Sequence, residues 1–147
     1  MLRMARQAWL EMLAESWRTY PEEACGLVAG PTGANHVTRF FPVRNAAKSS
    51  RVFELDGMGF MKAERTADDA GLEVIGVMHS HTHTAAYPSP TDLAEAMKPL
   101  VPPSWHWVIV SLAWGFPEVR SFALEPSSDH FELGVSGIAE ERLLLVN

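Results

Sequence analysis

The sequence predicts an α/β sandwich, a single domain over residues 1–147 in which helices cover the faces of a mixed β-sheet. Three observations support this prediction. Helix-like apolar spacing alternates along the chain with short, strand-like apolar runs. The length of 147 residues, with 47% hydrophobic and 20% charged residues, is typical of one globular domain. The sequence contains no repeat or low-complexity stretch, and its composition excludes disordered and collagen-like chains.

The first part of the chain predicts a helix followed by a β-hairpin. Apolar residues recur at every fourth position near the start: Ala5, Trp9, Leu13 and Trp17. This spacing predicts one apolar face of a helix within residues 1–17, which ends before Pro21. Residues 26–30 are a short apolar run closed by glycine and proline, which predicts a strand and a turn. Residues 36–43 alternate loosely, and we expect them to form the hairpin partner of that strand.

A second helix and a buried strand are expected next. Residues 56–71 predict the helix, with Asp56 as its N-cap and Gly71 as its C-cap. Its predicted apolar face consists of Met58, Met61 and Ala67. Residues 74–78 are almost continuously apolar, which is typical of a strand that is buried on both faces.

The rest of the chain predicts one short helix and three strands. Residues 92–97 are expected to be helical and to stop at Pro99. Residues 105–112 and 119–124 read as two strands separated by a turn that contains glycine and proline. Residues 143–146 predict a last strand. The resulting order of helices and strands favours a mixed sheet.

Candidate metal ligands follow the buried strand. His79 and His81 are two residues apart, so a strand places both imidazoles on the same side. Asp92 follows after a proline-containing turn and supplies a carboxylate. Two histidines and one carboxylate are a usual ligand set for catalytic zinc, which leaves a fourth position for water. The metal lowers the pKa of that water towards neutrality and so makes hydroxide available.

Two further residues are candidates for catalysis. Glu23 lies just before the first predicted strand, where it is a candidate to carry a proton from water to a leaving amine. Ser89 is a candidate hydrogen-bond donor to the developing oxyanion. Both have simpler interpretations. Glu23 also reads as a solvated charge near a helix end, and Ser89, followed by Pro90 and by Asp92 at the third helical position, reads as a helix cap.

Other histidines and the cysteine have less specific interpretations. Buried histidines bonded to backbone are the alternative to the metal site, but a pair followed by a spaced Asp92 favours metal. His83 would contact the metal only if the strand continued past His81. Cys25 is the single cysteine, so no internal disulfide can form; we interpret it as a small core residue rather than a redox group.

These residues together resemble the JAMM (MPN-plus) metalloprotease signature. The signature is a glutamate followed by H-x-H-x7-S-x2-D, and all five positions match, with the glutamate at Glu23 in Glu23-Ala-Cys-Gly26. The resemblance implies a cytidine-deaminase-like α/β fold and one zinc ion per chain, held by His79, His81 and Asp92. It also implies that Glu23 is the general acid/base and that Ser89 assists the transition state.

The resemblance further implies a substrate class. Members cut peptide or isopeptide bonds after the C-terminal glycine of ubiquitin-like proteins, and this short chain looks like the stand-alone prokaryotic branch, which processes sulfur carriers of the ThiS/MoaD kind. The polar segment 45–53 is a candidate edge for the carrier tail, although we prefer to interpret it as an ordinary loop. One departure stands out: Thr82 replaces the proline that usually follows the second histidine, and His83 comes next.

Charge and hydropathy bear on the class of partner and on the location of the protein. The 12 basic and 18 acidic residues give a net charge of −6 and form no Lys/Arg cluster, which disfavours nucleic acid as a partner. No apolar run approaches the roughly 20 residues that span a membrane, and the start of the chain lacks a signal-peptide pattern, so we expect a cytoplasmic protein. Two other functions stay open: a non-catalytic MPN-type scaffold, and a RadC-like protein associated with DNA repair.

Overall fold

The computed structural model describes residues 1–124 and 138–147. These residues form nine strands and three helices. The strands are β1 Leu2–Ala5, β2 Cys25–Gly30, β3 His36–Val37, β4 Arg39–Val43, β5 Glu73–His81, β6 His106–Ser111, β7 Glu118–Leu124, β8 Ile138–Glu141 and β9 Leu143–Val146. The helices are α1 Arg6–Thr19, α2 Gly57–Asp69 and α3 Pro90–Ala96.

The strands form two sheets. The larger has six strands in the order β4-β2-β5-β6-β7-β8, and the smaller has three strands in the order β3-β1-β9. In the larger sheet β5 and β6 run parallel whereas every other neighbouring pair is antiparallel. The larger sheet is therefore mixed, and the predicted α/β class is confirmed.

The N-terminal segment differs from the prediction. Residues 2–5 are a strand, and α1 begins only at Arg6. Leu2 and Met4 are both fully buried, and Arg3 between them is exposed, which is the alternation typical of a strand. A stretch of four residues is too short for this alternation to be distinguished, in the sequence, from the start of the helix. β1 lies between β3 and β9 and is parallel to both. Residues 36–43, predicted as one strand that pairs with β2, therefore form two strands. β3 pairs with β1, and only β4 pairs with β2.

Both predicted helix faces are partly wrong. The fully buried residues of α1 are Ala8, Met12 and Ser16. Trp17, which we placed on the buried face, is 46% exposed. In α2, Met58 and Met61 are exposed, and the buried residues are Ala63 and Ala67. In α2 the physical reason is close packing: its small alanines let the helix approach the sheet, while Met58 and Met61 lie in solvent. In α1 the buried face is turned towards Ala8, Met12 and Ser16, with Trp9 and Leu13 partly buried against the core.

The caps and the remaining strands agree better with the prediction. The Asp56 carboxylate accepts the Gly59 N–H at 3.0 Å and begins α2, and Gly71 has a positive φ of 71° just after the helix. β5 is longer than predicted and includes both histidines. β8, which continues the large sheet after β7, was not predicted.

The core positions the site at the centre of the large sheet. β5 lies between β2 and β6, and its last six residues are buried. One apolar cluster joins α1 and the small sheet to one face of the large sheet. A second packs α2 against β2 and β4, and a third packs Ala96 of α3 against β5, β6 and β7. Within residues 1–124 and 138–147, none of the helices has the length and apolar character needed to cross a membrane.

Candidate metal and catalytic site

The candidate metal ligands meet where β5 ends and α3 begins. His79 and His81 are on one face of β5, with ring centroids 4.9 Å apart. Asp92 is in the first turn of α3. The three residues are 0%, 5% and 7% exposed respectively. Two separate elements therefore bring the predicted ligands together in a buried position.

The three donor atoms lie almost at equal distances from one another. Asp92 Oδ2 is 3.1 Å from His79 Nε2 and 3.0 Å from His81 Nε2, and the two Nε2 atoms are 3.1 Å apart. Tetrahedral zinc with ligand bonds of about 2.0–2.1 Å requires ligand atoms that are separated by about 3.3 Å. The observed triangle is close to that size.

Neighbouring groups orient the two histidines differently. The Nδ1 atom of His81 is 2.7 Å from the Ala85 carbonyl, which can only accept, so Nδ1 carries a proton; in the neutral ring the Nε2 lone pair is then available to a metal. His79 is held by packing, because Phe53 stacks on its ring at 4.4 Å and 19°. With both rings neutral, lone pairs of two imidazoles and a carboxylate oxygen converge. This donor set fits a divalent metal ion.

The first turn of α3 fixes the carboxylate. Ser89 Oγ accepts the Asp92 N–H at 3.1 Å, and Asp92 Oδ2 accepts the Ser89 N–H at 2.8 Å, which completes a capping box. The same Oδ2 atom faces both histidines. Capping and ligand placement therefore depend on one geometry. Because Ser89 Oγ accepts in this bond, its hydroxyl proton stays available for a second hydrogen bond.

The charge distribution inside the cluster is strongly polarised. Burial raises the pKa of the Asp92 carboxyl, but hydrogen bonds from His79 and His81 lower it more, so the pKa lies well below its usual value. Burial lowers the pKa of His81, but Asp92 and the Ala85 carbonyl raise it above its ordinary value. Asp92 therefore stays ionised, and in the metal-free protein its charge favours the protonated form of His81.

Glu23 is buried beside this cluster. Its side chain is 3% exposed, and its Oε1 atom has no hydrogen-bond partner among the residues that the structure describes. Burial raises the pKa of Glu23 to about 7, with opposing smaller effects of His81, which lowers it, and Asp92, which raises it. A carboxyl group with this pKa is suited to accepting and returning a proton near neutral pH.

Backbone pairing holds Glu23 in this position. Its neighbour Ala24 bonds Ser80 twice: the Ala24 N–H donates to Ser80 Oγ at 2.7 Å, and the Ser80 N–H donates to the Ala24 carbonyl at 2.9 Å. The Glu23 N–H donates to the Ser49 carbonyl at 2.8 Å, and Asn45 Nδ2 donates to the Glu23 carbonyl at 3.1 Å. Glu23 is therefore fixed against both β5 and the segment 45–55.

Two cavities flank the histidines. On the His81 side is a polar cleft of about 480 Å³. It is lined by Glu23, Ser50, Arg51, His81, His83, Thr84 and Ser89. On the His79 side, an apolar groove of about 880 Å³ includes Phe53, Trp105 and Leu100, and also Thr91 next to Asp92. The segment 45–55 contributes residues to both, and we call them the polar cleft and the apolar groove.

The structure brings all five predicted site residues together. His79, His81 and Asp92 form the donor triangle, while Glu23 and Ser89 line the polar cleft together with His81. The remaining candidates are not part of the donor triangle. His83 follows the end of β5 and is exposed at the polar cleft, and Cys25 is a buried thiol whose Sγ donates to the Val43 carbonyl at 3.3 Å. Burial raises the pKa of Cys25 to about 12, which agrees with a core residue.

Sequence reasoning missed three supporting residues. Asn45 is buried and organises the segment 45–55: its Nδ2 donates to the Glu23 and Val52 carbonyls, and its Oδ1 accepts the Ala47 and Glu54 N–H groups. Ser80 fixes Ala24, and Phe53 covers His79. Ser80 was identifiable as the polar residue between the two histidines. Asn45 and Phe53 have no signal in the sequence, because their contacts depend on the loop conformation.

Comparisons with known proteins identify relatives of this chain. The chain is 40% identical over 100 residues to the CysO-cysteine peptidase of Mycobacterium tuberculosis (strain H37Rv), an alignment that covers 68% of this chain and 66% of the relative. It thus spans just under two thirds of that relative's length. It is 35% identical over 118 residues to the desampylase of Haloferax volcanii, which covers 79% of this chain and 78% of the relative.

Solved structures share the fold. Protein DSY2949 from Desulfitobacterium hafniense superposes with a TM-score of 0.81 at 30% identity, covering 99% of this chain and 93% of that one. A JAB1/MPN domain protein from Archaeoglobus fulgidus, AF2198, superposes with a TM-score of 0.60 at 15% identity, covering 99% and 97%. The second match supports the fold alone.

The family assignment follows from a match to a family model that covers most of the chain. Residues 5–125 match the Prok-JAB family, described as prokaryotic homologs of the JAB domain. The match begins at the end of β1, extends beyond β7 and includes every residue of the donor triangle and the polar cleft. The resemblance inferred from the five-residue signature is therefore confirmed, and the chain belongs to the Prok-JAB family of prokaryotic JAB-domain proteins.

Proposed function

We propose that the protein is a zinc-dependent peptidase or isopeptidase that cuts the bond after the C-terminal glycine of a ubiquitin-like sulfur carrier of the ThiS/MoaD kind. The observation that carries the proposal is the donor triangle beside a buried, unpaired carboxyl group. A scaffold protein has no physical need for either feature, because burying unpaired polar groups costs stability.

We assign His79, His81 and Asp92 as the ligands of one zinc ion per chain. When bound, zinc would supply a Lewis acid that polarises the scissile carbonyl and lowers the pKa of water towards neutrality. The His81–Ala85 bond and the Ser89 cap keep the donor atoms in place before the metal arrives. A preformed site of this kind loses little conformational entropy when it binds the ion.

Glu23 is the proposed general acid/base. It accepts one proton from the attacking water while the oxygen of that water bonds to the carbonyl carbon. It then returns the proton to the leaving nitrogen as the carbon–nitrogen bond breaks, so Glu23 ends the cycle unchanged. Its burial and its raised pKa, near 7, support both transfers.

Ser89 is proposed to stabilise the transition state. Its Oγ accepts a hydrogen bond from Asp92 N, which leaves the hydroxyl proton available to the polar cleft that Ser89 lines. Donation of that proton to the carbonyl oxygen would stabilise the negative charge that develops there. The capping box holds Oγ in place, so no reorganisation is required.

The substrate class is inferred from the relatives and from charge. One relative carries the name CysO-cysteine peptidase and another the name desampylase, which supports a protein conjugate as the substrate. The net charge of −6 disfavours nucleic acid. The two cavities on either side of the histidines give a large substrate a route across the site: the carrier body lies at the apolar groove, and the leaving group lies in the polar cleft.

Cleavage of an extended carrier tests the proposed function. A ThiS/MoaD-type carrier with one residue added after its terminal Gly-Gly is incubated with zinc-loaded protein, and mass spectrometry follows loss of that residue. We expect cleavage after the second glycine and none after exhaustive chelation. An intact carrier in the presence of zinc, at high protein concentration, would contradict the proposal.

A further inference from the structure

The position of Glu23 identifies the side of the site that holds the leaving group. A general acid must reach the departing nitrogen within hydrogen-bond distance. Glu23 does not line the apolar groove; it lines the polar cleft and a separate cavity of about 790 Å³, and of these two only the polar cleft is also lined by a donor-triangle residue, His81. If the proposed function holds, on which this inference rests, the group released from the carrier occupies the polar cleft. Its volume of about 480 Å³ is sufficient for one amino acid.

The polar cleft contains a cation with no protein partner. Arg51 lines it, and its guanidinium forms no ion pair or side-chain hydrogen bond within the described part of the chain. The arginines at 18, 44 and 120 are paired with carboxylates, whereas Arg51 is exposed at the cleft and has no such partner among the described residues. An unpaired guanidinium beside the proposed acid/base is therefore available to a ligand.

The backbone on both sides of Arg51 is held in place. Thr82 is 3% exposed, and its hydroxyl donates to the Ser50 carbonyl at 3.1 Å. The Val52 carbonyl accepts from Asn45 Nδ2 at 3.1 Å. The Arg51 N–H itself donates to Ser49 Oγ at 3.0 Å. Thr82, the residue that replaces the usual proline, thus connects the end of β5 to the residue before Arg51.

We propose that Arg51 binds the α-carboxylate of a single amino acid released from the carrier tail, and that Thr82 positions it. In an amino acid the leaving nitrogen and the carboxylate are attached to the same carbon, so one cleft holds both beside Glu23 and Arg51. A guanidinium pairs with a carboxylate through two parallel hydrogen bonds. A lysine side chain released from an isopeptide carries no carboxylate near its nitrogen. The site therefore favours carriers that are extended by one residue with a free carboxylate.

A matched pair of substrates tests this assignment. A ThiS/MoaD-type carrier extended by one alanine is prepared as the free acid and as the carboxamide, which differ only in the charge of the terminal group. We expect the wild-type protein to cleave the acid roughly 10–100-fold more efficiently, as kcat/KM, mostly through KM. Arg51→Ala brings the ratio close to one by slowing the acid only. Arg65→Ala, an exposed arginine on α2, removes the same charge and keeps the wild-type ratio.

Two variants at position 82 test the positioning role. Thr82→Val keeps the shape but removes the bond to Ser50 and the 2.8 Å contact with His83 Nδ1, so it should lower the preference for the acid. Thr82→Ser retains the hydroxyl and should keep the preference. A purely structural role would change cleavage of both substrates equally. Equal cleavage of acid and carboxamide by the wild-type protein, or an unchanged ratio in Arg51→Ala, overturns the assignment.

Binding separates this inference from the proposed function. Calorimetric titration of Glu23→Gln with both substrates requires no turnover. Tighter binding of the acid, lost when Arg51→Ala is added, supports the role of Arg51 even if neither substrate is cleaved, in which case only the proposed function fails. Equal binding of the two substrates counts against Arg51.

Discussion

The polar cleft and the apolar groove share a wall but differ in almost every physical property. The segment 45–55 contributes Ser50 and Arg51 to the cleft and Val52, Phe53 and Leu55 to the groove. Within residues 1–124 and 138–147, the cleft contains the buried Glu23 Oε1 atom, which has no hydrogen-bond partner, and the Arg51 guanidinium, which has no ion pair. The groove is lined mainly by apolar and aromatic side chains. One short segment thus divides a reactive surface from one suited to apolar contact.

The difference indicates how stability and function are distributed. Groove residues such as Val77 and Trp107 belong to the core and stabilise the fold by burial. Glu23 does the opposite, because a buried acid with a raised pKa destabilises the folded state at any pH where it is ionised. The cleft is therefore maintained at the expense of stability, which is expected of a site selected for chemistry.

The sharpest test of the cleft is removal of the proton carrier. Glu23→Gln should lower kcat by about 10²–10⁴-fold, because an amide cannot shuttle a proton. The metal content should stay the same, because Glu23 is not part of the donor triangle. Steady-state cleavage of an extended carrier and elemental analysis measure the two quantities. Near-normal turnover by this variant would remove Glu23 from the mechanism.

The same substitution should stabilise the metal-free protein at alkaline pH. The pKa of Glu23 is about 7 in the folded state and near 4.5 in the unfolded state, so only the folded protein binds this proton between those pH values. Stability then falls as pH rises through that window. Glu23→Gln removes the fall, and its advantage over wild type should grow by about 1–3 kcal/mol between pH 4.5 and pH 8.

Urea unfolding of chelated wild-type and variant protein at both pH values measures this difference. The comparison of the two proteins at each pH cancels the titration of groups that they share. An advantage that is the same at pH 4.5 and pH 8 would mean that Glu23 titrates normally and is not desolvated.

A smaller effect is expected in the groove. Leu100 is 96% exposed and lines it, so Leu100→Asp should raise KM for a carrier roughly tenfold and leave kcat unchanged. Met58→Asp is the matched control, because Met58 is 81% exposed on α2 and does not line the groove. Equal changes in both variants, or no change in KM, would place the carrier elsewhere.

The features that could be predicted are those that depend on the spacing of residues close together in the sequence. His79 and His81 are two positions apart in a strand and so lie on one face, and Ser89 and Asp92 form a capping box. Strand periodicity and helix-cap chemistry were therefore sufficient to predict the donor triangle. The strand at 2–5 was missed because its pairing partners, His36–Val37 and Leu143–Val146, are distant in sequence. Met58 and Met61 were misplaced because apolar character alone does not reveal which side of a helix faces the sheet.

The supporting contacts of the site could not be predicted. Asn45, Phe53 and Arg51 act through a segment with almost no regular structure, whose conformation depends on bonds to Glu23 and Thr82. Such bonds join residues with separations of 22 and 32 positions. They follow from the folded arrangement of β2 and β5 and leave no periodic signal in the sequence.

The most direct test of the donor triangle is the metal content of the purified protein and two variants. Asp92→Ala removes a proposed ligand and one of the two hydrogen bonds of the α3 capping box, while Asp56→Ala removes the N-cap hydrogen bond of α2 and no ligand. Elemental analysis after exposure to zinc and dialysis should find about one ion per chain in the wild type and in Asp56→Ala, and almost none in Asp92→Ala. A wild-type protein without metal, or an Asp92→Ala variant that retains it fully, would contradict the proposed centre.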